Sequence, residues 1–140
     1  MIKKMRVLLY SDGSEVGSQA LALGRRIARA LANAVDILAI ARTAEREEVS
    51  SEEIEATVGE LEAADISVAV YRRPGTMGQE LLEQADAKDY DLIVIGSEGR
   101  RGVRRLLAGS RACSILGGAA TSVLVVKGQE RERITRILAC

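Results

Sequence analysis

Five short, almost unbroken apolar runs punctuate this chain, and they constrain its fold more than any other feature. They are Val7-Leu8-Leu9-Tyr10, Val35 to Ala41, Ile66 to Tyr71, Leu92-Ile93-Val94-Ile95 and Ser122-Val123-Leu124-Val125-Val126. Each has strand length, and continuous apolar character marks a strand covered on both faces. Between the runs the apolar period changes. Val16, Ala20, Leu23, Ile27, Ala30 and Ala34 recur at three- and four-residue steps, and so do Ile54, Val58, Leu61 and then Met77, Leu81, Ala85. Those spacings give helices with one apolar stripe. Capping boxes open two of them, Ser50 with Glu53 and Thr76 with Gln79. A further helix spans roughly 109–118. Strands alternating with helices predict an α/β fold, a Rossmann-like, doubly wound, open five-stranded parallel sheet with helices on both faces and strand order 3-2-1-4-5.

The 140 residues suffice for one such domain, read here as 1–128, followed by a C-terminal tail over 129–140. The tail carries Ile134, Ile137 and Leu138 among charges and reads as a short helix or a frayed end. The last apolar run lies at an edge of the predicted sheet and holds no charge or Pro that would blunt it. It is therefore expected to pair antiparallel with its own copy, giving a homodimer through residues 122–126.

Several function classes fall away on composition. There is no His, which removes His-based triads, His acid–base chemistry and His-ligated metals. Aromatics are 2% of the chain, too few for stacking platforms that hold single-stranded nucleic acid. Two cysteines, Cys113 and Cys140, make neither a zinc site nor a disulfide scaffold and fit a reducing compartment. No apolar stretch has the length of a membrane span. Lys3, Lys4 and Arg6 precede a run too short for a signal-peptide core, so a cytoplasmic protein is expected. The 20 basic and 20 acidic residues cancel but are unevenly placed, with nine acids against Arg46 over 45–65 and five Arg without an acid over 100–111. With zero net charge and no base-reading motif, the basic run is not expected to serve as a nucleic-acid surface.

In a doubly wound sheet, ligands bind outside the carboxyl ends of the strands at the topological switch point. That directs attention to Ser11-Asp12-Gly13, to Ile40-Ala41, and to the segment opening at Gly96. The last reads Gly96-Ser97-Glu98-Gly99, nine residues, then Gly109-Ser110 at a helix start. Glycines there let backbone amides approach a polyphosphate, and a helix start adds free N–H groups and the positive end of a dipole. The spacing is neither that of a Walker A loop nor that of the dinucleotide fingerprint, which would need Gly where Glu98 stands.

The pattern Gly-x2-Gly-x9-Gly-Ser instead resembles the nucleotide-binding motif of the universal stress protein family, ATP-binding branch. Tyr10-Ser11-Asp12-Gly13-Ser14-Glu15 is similar to that family's first strand and turn, Asp91 to Ser97 to its fourth strand, and 122–126 to its last. The resemblance covers residues 5–127. It implies a cytoplasmic, usually homodimeric protein of the stress response that binds ATP, ADP or AMP, with Mg²⁺ carried on the phosphates. Carried over by position, Asp12 and Ile40 contact adenine and ribose, Gly96 and Gly99 line ribose and phosphates, and Gly109 with Ser110 holds the phosphate tail. Tyr10, Ser11, Ser97, Arg100, Arg101, Gly102, Arg111 and Ala112 flank these positions. Tyr10 stands where the family commonly has Pro, and its bulk lies beside the expected adenine pocket. The family's Pro-containing turn before the last strand is absent from 117–122.

No residue is placed to activate a water, so the resemblance implies binding without catalysis, or at most slow hydrolysis. Two readings stay open: a nucleotide-binding regulator, and a dimeric stress-signalling interaction module whose pocket is empty or vestigial.

Overall fold

A computed structural model describes residues 5–74, 76–97, 121–127 and 133–137. The elements run β1 (Met5–Ser11), α1 (Glu15–Leu31), β2 (Ala32–Ala39), α2 (Ala44–Ala63), β3 (Ser67–Arg72), α3 (Met77–Ala87), β4 (Leu92–Ser97), β5 (Ser122–Lys127) and β6 (Arg133–Ile137). The sheet has the order β3-β2-β1-β4-β5-β6. The first five strands pair in parallel, in the order 3-2-1-4-5 expected of the doubly wound fold.

Two hydrophobic layers cover the sheet. On one face Val7, Leu9, Val35, Ile37 and Val94 pack under Ala20, Leu21 and Ala28 of α1 and Ile54 and Leu61 of α2. On the other, Leu8, Tyr10, Leu38, Ile93, Ile95, Val123 and Val125 meet Leu81 and Leu82 of α3. Alternate strand residues thus enter opposite layers, which is why β1, β2, β4 and β5 read as near-continuous apolar runs, whereas β3 towards the edge is only partly buried. Each fully buried Leu or Ile contributes about 1.5–3 kcal/mol relative to exposure.

Details of the helices differ from expectation. The fully buried stripe of α1 is Gly17, Ala20, Leu21, Gly24 and Ala28, whereas Ala30 is exposed and Ala34 belongs to β2. The small residues bring α1 close to the sheet, and a Cβ at Gly24 would run into the side chain of Leu9. The second strand starts earlier than its apolar run, leaving Ile40 and Ala41 beyond its end. Helix α2 starts not at Ser50 but at Thr43, whose hydroxyl accepts from the Arg46 amide at 3.1 Å. Glu45 and Glu47 in its first turn favour that start through the helix dipole. Thr76 caps α3 as its spacing predicts, accepting from Gln79 N.

The largest departure is at the edge of the sheet. Residues 133–137 form neither a helix nor a frayed end but β6, antiparallel to β5 from Val123↔Ile137 to Lys127↔Arg133. Both sides of β5 are therefore occupied within the chain, by β4 and β6. Direct pairing of residues 122–126 with a second copy does not fit this arrangement.

Candidate functional site

The turn from β1 into α1 is built around two local constraints. Gly13 has φ +75°, a left-handed conformation that glycine adopts without strain. Its missing Cβ also leaves room for the Arg46 carbonyl, so the turn seats against the start of α2. Ser14 then caps α1, accepting from the Gly17 amide at 3.0 Å. Asp12 fastens the cap: its Oδ1 accepts from Ser14 N at 2.9 Å and from Ser14 Oγ at 2.6 Å. Its Oδ2 has no hydrogen-bond partner among the described residues.

The end of β4 arrives at the same helical turn. A Cβ on Gly96 would lie 2.6 Å from the Val16 carbonyl oxygen and 3.0 Å from Gly17 N. Gly96 is thus required by backbone packing, whatever else it contacts. Asp12 borders the same Gly17, since a Cβ there would strike its carboxylate. Ile40 joins from β2, its amide donating to Ser11 O at 2.9 Å. The ends of β1 and β4 therefore meet at the first turn of α1, with Ile40 bonded to Ser11 alongside, at the switch between β1 and β4. The positive end of the α1 dipole points there.

The remaining expected residues divide into three groups. Tyr10 is 3% exposed and packs with Leu38, Ile40 and Ile95 in the α3-side layer, so its ring is part of the core. Ser11 turns its hydroxyl to Ser50 of α2 at 2.7 Å. Ser97 ends β4, with its side chain outside the described residues, and Gly99, Arg100, Arg101, Gly102, Gly109, Ser110, Arg111 and Ala112 lie outside them altogether. So do Cys113, Cys140 and the helix expected over 109–118. No group of three or more metal-ligating side chains occurs among the described residues, and no described helix is long and apolar enough to cross a membrane.

A buried polar network escaped the sequence reading. Asp36 of β2, 5% exposed, accepts from the Tyr90 hydroxyl at 2.6 Å. The same hydroxyl accepts from Gln84 Nε2 at 2.8 Å. Lys88 Nζ lies 3.4 Å from Asp36 Oδ2 and donates to the Tyr71 hydroxyl at 2.6 Å. Burial, reinforced by the bond to Asp36, pushes the Tyr90 phenol well above the usual tyrosine value. The Lys88 ammonium is also raised, first by its hydrogen bond to Tyr71 and then, against desolvation, by the charge of Asp36. The one readable signal was Asp36 itself, a single charge inside an apolar run.

Comparison with known proteins identifies the family and the fold. The family model described as the universal stress protein family matches residues 4–127. Universal stress protein MJ0531 of Methanocaldococcus jannaschii is similar at 41% identity over 58 residues, which is 41% of this chain and 34% of that protein. The match thus spans about a third of that relative's length. A universal stress protein solved in complex with cAMP superposes with TM-score 0.57 at 22% identity, over 89% of this chain and 97% of that one. An Arabidopsis thaliana protein of the same family, solved with AMP bound, gives TM-score 0.54 at 12% identity, over 90% and 93%. At such identities the structural likeness is one of fold.

Proposed function

This chain belongs to the universal stress protein family, and from that premise we propose that it is an adenine-nucleotide-binding regulatory protein of the stress response. The observation that carries this reading is the meeting of Asp12 and Gly96 at the first turn of α1, with Ile40 bonded to Ser11 beside them. Asp12 keeps Oδ2 for a ribose hydroxyl while Oδ1 holds the Ser14 cap. Close packing at Gly96 leaves a surface of backbone rather than side chain, which suits a ribose phosphate. The phosphates of ATP, ADP or AMP, with Mg²⁺ where present, are then held by Gly99, Gly109 and Ser110, with the arginines over 100–111 adding positive potential. Relatives solved with cAMP and with AMP support an adenine nucleotide as the ligand class. The protein acts in the cytoplasm, and no residue in this reading activates a water.

Isothermal titration of the intact chain with AMP and with Mg·ATP tests the proposal. Binding is expected, and Gly99→Val or Gly109→Val abolishes it while circular dichroism stays unchanged. Absence of uptake at millimolar nucleotide would instead favour the interaction module with an empty pocket. That second reading draws on the Ile40 amide and Asp12 Oδ1, both already engaged within the protein. Homodimerisation belongs to either reading. Its surface is the outer edge of β6, the strand that now borders the sheet.

A further inference from the structure

The turn that carries Asp12 is also held by α2. Three residues on one face of that helix reach it, Arg46, Ser50 and Glu53, each about one turn beyond the last. The Arg46 carbonyl fills the room that a Cβ at Gly13 would take. Ser50 shares a 2.7 Å hydrogen bond with the hydroxyl of Ser11. Glu53 Oε1 lies 2.5 Å from Ser18 Oγ of α1, within the usual range of a hydroxyl–carboxylate bond, about 2.5–2.7 Å. Ser18 Oγ is also 2.9 Å from the Ser14 carbonyl, so Glu53 is tied to the residue that caps α1. Asp12 itself hydrogen-bonds only to Ser14 among the described residues. Its chain neighbours on both sides, and the cap it bonds to, are thus each fastened to α2.

These contacts are polar where packing alone asks for no polar group. Ser50 is 1% exposed and stands one turn before Ile54, which joins Leu61 in the apolar layer beneath α2. Ser11, opposite it, is 2% exposed. An apolar pair at these positions would gain burial without needing a partner. A buried hydroxyl pair gains less from burial but fixes a direction, because either hydroxyl left alone is costly. The far end of α2 is different. There Glu60 holds Arg25 and Arg29 in exposed ion pairs that touch no residue of the turn.

We propose that Ser50 and Glu53 are positioning residues for the nucleotide. Acting through Ser11, and through Ser18 with Ser14, they fix the direction in which Asp12 presents Oδ2 to a ribose hydroxyl. The inference rests on the nucleotide reading above and extends that site to α2. The seating of α2 then governs recognition of the ribose rather than of the phosphates, which that reading assigns to residues after β4.

Isothermal titration of the intact chain with AMP and with 2′,3′-dideoxy-AMP, which lacks both ribose hydroxyls, tests this. The native chain is expected to prefer AMP. Ser50→Ala/Glu53→Ala is expected to reduce that preference by about fivefold or more, weakening AMP and leaving the dideoxy nucleotide unchanged. Glu53→Gln keeps an acceptor for Ser18 and retains the native preference. Glu60→Ala cuts the ion pairs at the other end of α2 and leaves the preference intact. Should the double variant fail to fold, Ser50→Ala and Glu53→Ala are each expected to give a smaller fall of the same kind. The inference alone is overturned if the alanine variants keep the native preference, if they weaken both nucleotides by the same factor, or if Glu60→Ala lowers the preference equally. A native chain that binds both nucleotides equally overturns it too, by removing the ribose contact of Asp12. A native chain that takes up neither nucleotide overturns the nucleotide reading itself, and this inference with it.

Discussion

Two glycines show how differently the same residue type acts in this chain. Gly96 meets the backbone of Val16, which cannot swing aside, so Gly96→Ala is expected to destabilise by about 1–3 kcal/mol as an overpacked core substitution does. Gly59 lies within α2 with nothing in reach of a Cβ, and Gly59→Ala is expected to stabilise by about 0.5–1 kcal/mol. Urea midpoints moving in the same direction would contradict this contrast. Tyr90 supplies a pH signature. Its folded-state pKa is raised, so the native protein retains a phenol proton that the unfolded chain releases above about pH 10. The stability contributed is present in full below that pH and declines as pH rises further. Denaturation from pH 7 to 11 should therefore show a fall above pH 10 that is shallower in Tyr90→Phe.

Helices α1 and α2 were legible as elements, but their ends and buried faces were not. Spacing suggested an α1 stripe through Val16, Ala20, Leu23, Ile27, Ala30 and Ala34, yet the fully buried face is Gly17, Ala20, Leu21, Gly24 and Ala28, with Leu9 taking the space a Cβ at Gly24 would need. For α2, Ser50-Ser51-Glu52-Glu53 has capping-box spacing. Thr43 nevertheless nucleates the helix earlier, and Ser50 turns inward to Ser11. Thr43→Ala is accordingly expected to cost about 1 kcal/mol, the usual penalty for losing an N-cap. Thermal melts that find no loss would place the start of α2 elsewhere. The dense acids on α2 are partly spoken for, since Glu60 pairs with Arg25 at 3.0 Å and Arg29 at 2.8 Å. Exposed pairs of this kind contribute about 0–1 kcal/mol, so they orient the two helices more than they hold them.

At the scale of the whole molecule, the sixth strand decides how the sheet ends. An apolar β5 with a free edge would be a template for another chain, and β6 closes that edge from within. Thr135→Pro puts an N-substituted residue opposite Val125 and is expected to loosen β6. Light scattering should then show β5-mediated self-association beyond that of the native chain. An unchanged mass together with unchanged stability would mean that β6 does not guard the edge.

The α/β class and the positions of the five parallel strands could be read from the chain alone, because they follow from local periodicity and from the handedness of strand–helix–strand units, while Asp12, Ile40 and Gly96 were singled out by the ends of those strands and by the family resemblance. Three features needed the packed fold: Gly96 accommodating the backbone of α1, Asp36 buried against Tyr90 and Lys88, and residues 133–137 paired with β5. Each of these depends on contacts between residues far apart in the chain. Local pattern does not encode them, since burial and pairing are set by which surfaces the packed sheet leaves to be filled.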